Sequence, residues 1–131
     1  MTLTLVTLLK RREGMSKADF IAYYETHHRL IGEQVLGGYA TRYVRRFLHP
    51  RDGIDRPGDF DVVTEFDFPD VATSDACFAA MADDITMATI IADEENLFDR
   101  SRTLTYLVEE SVSTLPPVRA HETGAALASG S

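Results

Sequence analysis

An α+β fold is what this 131-residue chain predicts. Three observations carry the prediction. Four stretches of strand length are rich in apolar and β-branched residues, amphipathic helical stretches separate them, and the order is strand, helix, strand, strand, helix, strand. That order builds a ferredoxin-like β-α-β-β-α-β layer: a four-stranded antiparallel sheet carrying its helices on one face.

Residues 3–11, "LTLVTLLKR", alternate threonine with aliphatics and read as the first strand. "EGMS" turns the chain, and Ser16 with Asp19 three residues on forms the Ser-x-x-acid pattern of a helix start. The helix is predicted over residues 17–35 and ends at Gly37-Gly38, where glycine adopts a left-handed cap without steric cost. Residues 39–49 alternate again as a second strand, and the Pro/Gly/Asp-rich residues 50–59 form a loop. "FDVVTEFDF", residues 60–68, is the third strand, closed by Pro69. A helical piece follows over residues 75–83, with Phe78 and Met81 as its buried side, and another over 86–98. Residues 102–112 give the last strand. The domain is thus expected over residues 1–113, followed by a tail over 114–131 that is either flexible or an arm laid on a partner subunit. His121 falls in that tail and is not expected to be catalytic.

Apolar residues make up 44% of the chain and charged residues 26%, ordinary for one globular domain with a real core. A net charge of −8 repels phosphate backbones and argues against nucleic acid as a partner. Arg42, Arg45 and Arg46 are the basic exception, read as partners of surface carboxylates. The single Cys77 rules out an intrachain disulfide and fits a cytoplasmic setting. In "MTLTLVTLLKRR" the positive charges follow the apolar run, the wrong order for a secretory signal. No apolar run approaches the ~20 residues of a membrane span, so no membrane partner is expected. The strands carry apolar residues on both faces: Val6 and Leu8 oppose Leu3, Leu5 and Leu9, and Val63 opposes Val62 and Phe66. A second copy of the chain is the simplest cover for the helix-free face.

"YYETHHRL", residues 23–30, concentrates proton-transfer chemistry in a chain with only four histidines and five tyrosines. At ~100° per residue, Phe20, Tyr24, Ile31 and Val35 fall within an arc of about 60° that defines the sheet-facing side. His27 and His28 lie about 50° to either side of its centre, so periodicity alone does not choose between them. Adjacent histidines diverge too far to share a metal, so no metal site is expected. Tyr24 and His28, four apart, can reach one ligand oxygen and suit acid/base work. The plainer alternative is that both histidines are satisfied polar groups at a buried edge.

"FIAYYETHHRLI", Phe20 to Ile31, resembles the signature helix of EthD-domain proteins within the dimeric α+β barrel superfamily. Counted along that pattern, the histidine is His28. "GYATRYV" and "FDVVTEFDF" resemble the second and third strands of the family, with Asp61 and Phe66 at familiar positions, and "NLFD" with "YLVEE" resembles its closing segment. The match covers about residues 3–112, and Arg29-Leu30 departs from the small residue and proline usual after the histidine. The resemblance implies a homodimer forming an α+β barrel, with a pocket between sheet and helices in each subunit. Its relatives include cyclases, isomerases, dehydratases, haem-degrading enzymes and cofactor-free monooxygenases.

The chain offers no nucleotide-binding glycine loop and no serine or cysteine nucleophile in a recognisable setting. The reading is therefore a cofactor-independent lyase, isomerase or cyclase acting on a small aromatic or polyketide-like substrate. In it His28 moves the proton and Tyr24 stabilises an oxyanion, while His27, Tyr43, Phe20, Ile31 and Asp61 bind substrate and Asp61 can orient the imidazole. The alternatives are a cofactor-free monooxygenase on a phenolic substrate and a non-catalytic small-molecule-binding accessory protein.

Overall fold

A computed structural model describes residues 2–121. The elements follow the order β1 (Leu3–Leu9), α1 (Lys17–Tyr23), a π-helical turn (Tyr24–His28), α2 (Arg29–Leu36), β2 (Arg42–Phe47), β3 (Val62–Phe68), α3 (Val71–Met81), α4 (Asp84–Glu95), a 3₁₀ turn (Arg100–Arg102) and β4 (Leu104–Leu107). The sheet is antiparallel throughout, in the order β2-β3-β1-β4, which is the ferredoxin-like arrangement. The expected tail lies partly outside the described residues; of it, residues 114–121 carry no helix or strand and are exposed.

Side-chain alternation fixes which face is buried. The register places Leu5 opposite Phe66 and Leu107, and Leu9 opposite Val62, which puts these residues on the helix-bearing face. Val6, Leu8, Val63, Leu104 and Tyr106 then lie on the other face. The core has two parts. Leu9, Phe20, Tyr24, Val62, Leu97 and Phe98 pack under α1, whereas Leu36, Phe68 and Cys77 pack under α3.

Local capping sets the helix starts. The Ser16 hydroxyl accepts from the Asp19 amide at 3.1 Å, as the sequence indicates. Asp70 caps α3 by accepting from the Thr73 amide at 2.7 Å, and this starts the helix four residues before the expected position. Gly38, at φ +86°, supplies the left-handed residue that ends α2. The expected buried side of α3 is met in part: Met81 packs against the core of Leu36, Phe68 and Cys77, but Ser74 and Cys77 are the buried residues there, while Phe78 is 41% exposed with its ring tilted against Phe68 at 5.8 Å between centroids. Small side chains win the sheet-facing positions because the helix lies close over Phe68 and Leu36.

Asp61 also needs correction: it lies outside the pocket. Its carboxylate is 1% exposed and sits between Lys17 Nζ at 2.6 Å and Lys10 Nζ at 3.1 Å, with the Arg11 amide donating at 2.8 Å. It pins the end of β1 to the start of α1 and of β3. The arginines pair with carboxylates as the sequence suggests: Arg42 and Arg46 with Glu65, and Arg45 with both oxygens of Glu25.

Candidate active site

One turn of helix decides which histidine faces inward. Between Tyr24 and His28 the backbone widens to a π-turn, with the Arg29 amide reaching back five residues to the Tyr24 carbonyl. The widened turn frees backbone acceptors, and nearby side chains satisfy them. The Thr26 hydroxyl donates to the Ala22 carbonyl at 2.7 Å, and Arg29 Nε donates to the Glu25 carbonyl at 2.9 Å. A wide turn rotates the chain by less than the ~100° per residue of an α-helix. His27, three residues past Tyr24, therefore falls short of the inward face, whereas His28, four past it, comes round to it.

The consequences are visible in the side chains. His27 is exposed, stacks on Tyr23 at 4.4 Å and hydrogen-bonds Thr26 Oγ1 at 2.8 Å. His28 sits edge-on to Tyr24 at 5.0 Å and to Phe98 at 5.2 Å. Its Nδ1 lies 2.9 Å from Asp93 Oδ2. A carboxylate only accepts, so Nδ1 carries a proton, and in the neutral ring Nε2 is the nitrogen with the lone pair. Asp93 is itself fixed: the Tyr23 phenol donates to its Oδ1 at 2.6 Å, and Asn96 Nδ2 donates to the Tyr23 oxygen at 3.3 Å. That bond to Asp93, aided by burial, raises the Tyr23 phenol above its ordinary value and keeps it protonated.

α4 delivers Asp93 because the chain after it is stitched to the end of β1. The Arg12 amide donates to the Leu97 carbonyl at 2.9 Å, and the Asp99 amide to the Lys10 carbonyl at 2.8 Å. The same stitch seats Phe98 beneath Tyr24, with centroids 5.8 Å apart.

Tyr24 and Tyr43 meet across the helix–sheet seam with their hydroxyls 3.0 Å apart. Burial, then the neighbouring Tyr43, pushes the Tyr24 phenol well above its usual value, and burial likewise raises Tyr43. Both stay neutral, and one donates to the other. Gly32 makes room for this pair: a Cβ there would stand 2.8 Å from Tyr43 Cε2 and 2.9 Å from its oxygen. Gly32→Ala should displace the Tyr43 ring and break the Tyr24–Tyr43 bond. Stability should change by only ~1–2 kcal/mol because helix propensity offsets the crowding, while the Tyr43 ring resonances shift; thermal melts and NMR check it.

These groups surround a cavity of about 250 Å³, which Tyr24, His28, Ile31, Tyr43, Thr64 and Thr105 help to line. Of the residues read from the sequence, His28, Tyr24, Tyr43 and Ile31 converge there. Phe20, fully buried, instead supports Tyr24 edge-on at 6.1 Å. His27 and Asp61 stand apart from the cavity. Sequence reasoning missed Asp93, Tyr23 and Gly32. The signal for Asp93 was an acid one turn after Ile90 on α4 and four residues before the buried Leu97 that follows the helix.

The chain's fold has solved counterparts. An ethyl tert-butyl ether d (EthD) family protein from Bacillus halodurans superimposes with a TM-score of 0.59 at 17% identity, over 85% of this chain and 100% of that one. An EthD-like protein from Ralstonia eutropha gives a TM-score of 0.53 at 18% identity, over 82% and 87%. A dimeric protein of unknown function and ferredoxin-like fold from Bacteroides fragilis gives 0.55 at 6% identity, over 83% and 96%. No curated protein matches the sequence. The EthD domain, however, matches residues 12–101, the span from just after β1 through the signature helix to the segment that carries Phe98. The chain belongs to the EthD domain family.

Proposed function

We propose that this protein is a cofactor-independent acid/base enzyme, a lyase, isomerase or cyclase, acting on a small aromatic or polyketide-like molecule between sheet and helices. The observation that carries the reading is the His28 ring, anchored through Nδ1 by Asp93 while it lines the cavity. Nε2 takes a proton from an activated carbon of the substrate, and Asp93 stabilises the imidazolium that results. The electron pair left behind moves onto the adjacent carbonyl oxygen, where one phenol of the Tyr24–Tyr43 pair donates to the developing oxyanion while accepting from the other. Return of the proton to another atom completes an isomerisation, and its delivery to a leaving oxygen completes an elimination. An apolar cavity of ~150 Å³ holds benzene, so about 250 Å³ suits a single substituted ring.

Proton exchange tests the reading without knowledge of the natural substrate. 4-Hydroxyphenylacetone in D₂O should lose its methylene ¹H signal faster with the protein than without it. Binding without exchange would make the protein a small-molecule-binding accessory protein. Oxygen consumption would make it a monooxygenase.

The same proposal includes a homodimer. Val6, Leu8, Val63, Leu104 and Tyr106 form an apolar area on the helix-free face, with Tyr106 50% and Leu104 44% exposed. Arg42, Arg46 and Glu65 border it. Tyr106→Glu should convert a dimer to a monomer in sedimentation, and a wild-type monomer would contradict the proposal. A cytoplasmic setting is supported by the lone, buried Cys77 thiol. No helix among the described residues is long and apolar enough to cross a membrane.

A further inference from the structure

A second cavity, of about 380 Å³, lies between α2 and the α3–α4 hairpin. Ile31, Val35 and Met81 line both this cavity and the inner one, so a single layer of side chains divides them. Met81 is the last residue of α3, partly buried and unbranched, which suits it to fold aside. The far wall is different in kind. Gln34 and Tyr39 face the outer cavity, and neither the Gln34 amide nor the Tyr39 phenol is engaged in a hydrogen bond among the described residues. Among the described residues no lysine or arginine lines the cavity, whereas Asp83 and Asp84 begin the helix that supplies Ile85, Thr86 and Thr89 to it.

We propose that the substrate is bipartite: an aromatic head in the inner cavity and a neutral, oxygen-bearing chain passing Met81 into the outer one. The inference rests on the inner cavity being the ligand site and adds the class of substituent it takes. Apolar atoms of the chain are buried against Ile31, Val35 and Met81, and its terminal oxygen meets Gln34 and Tyr39. An anionic terminus is disfavoured by Asp83 and Asp84, with no cation present in the wall to offset them.

Binding of four probes separates the parts: phenol, 4-butylphenol, 4-(4-hydroxybutyl)phenol and 4-(4-hydroxyphenyl)butanoate, each followed by NMR at the His28 ring. Phenol should bind weakly. The hydroxybutyl probe should bind at least ~10-fold tighter than phenol and several-fold tighter than the butyl probe, and the carboxylate should lose the gain. Thr89→Trp, which fills the outer cavity from an exposed helix position away from the inner one, should abolish the gain and leave phenol binding within about threefold. Phenol binding with no gain from the chain, or a gain that survives Thr89→Trp, would overturn the bipartite substrate and leave the inner site standing. No response to phenol would overturn the inner site and the bipartite substrate with it.

Discussion

Replacing His28 with glutamine is expected to slow proton exchange of 4-hydroxyphenylacetone about 10²–10⁴-fold, the usual contribution of a positioned general base. Glutamine keeps much of the volume that packs against Tyr24 and Phe98, so the variant should melt within a few degrees of the wild type. Asp93→Asn acts on the same nitrogen from behind. An amide can donate to Nδ1, which favours the tautomer with the proton on Nε2 and removes the base from the cavity. A loss of ~10²-fold or more is expected, and the double variant should be no slower than His28→Gln alone, because the two residues work as a unit. Full additivity in the rates would mean that Asp93 acts on something other than the imidazole.

Asp61→Asn should be the most damaging change to the fold. It removes the charge that neutralises Lys10 and Lys17, whose side chains are only 10% and 19% exposed. Stranding buried cations typically costs about 3–5 kcal/mol, a large share of the ~5–15 kcal/mol that holds a domain together. The pH dependence follows from the carboxyl itself. Burial alone would raise its pKa, but Lys17, the Arg11 amide and Lys10 together outweigh burial and hold it below its ordinary 3.8. A carboxyl depressed in the folded state contributes its stability fully above 3.8, and that contribution is lost as pH falls through the lower folded value. The wild type should therefore exceed the variant by several kcal/mol in urea unfolding at pH 7, with the gap narrowing as pH drops below 3.8.

What the sequence revealed and what it hid have a common physical basis. Features set by neighbours along the chain were legible: the alternating strands, the Ser16 cap, the glycine stop after α2, and the β-α-β-β-α-β order. Edges were less so, since Asp70 starts α3 early and β4 spans only Leu104–Leu107. The tie between His27 and His28 lay beyond periodicity, which assumes 3.6 residues per turn. The side-chain bonds from Thr26 and Arg29 that sustain the π-turn break that assumption. Family resemblance pointed to His28, and the widened turn explains why it is the inward one. Arg29, which departs from the family pattern, donates to the Glu25 carbonyl within that turn. Asp93 lies 65 residues from His28 and meets it only through tertiary packing. Asp61 could orient the imidazole as far as sequence went, but a strand carboxylate is more often salt-bridged, and its bonds to Lys10 and Lys17 are of that kind.

The account stands on the direction in which the His28 imidazole is wired. A ¹⁵N–¹H correlation spectrum of the ring, recorded at a pH where it is neutral, reads this directly. The expected result is a proton on Nδ1, shifted by its bond to Asp93, and a bare Nε2 whose resonance moves when phenol enters the cavity. A proton on Nε2, or an Nε2 resonance indifferent to phenol, would contradict it.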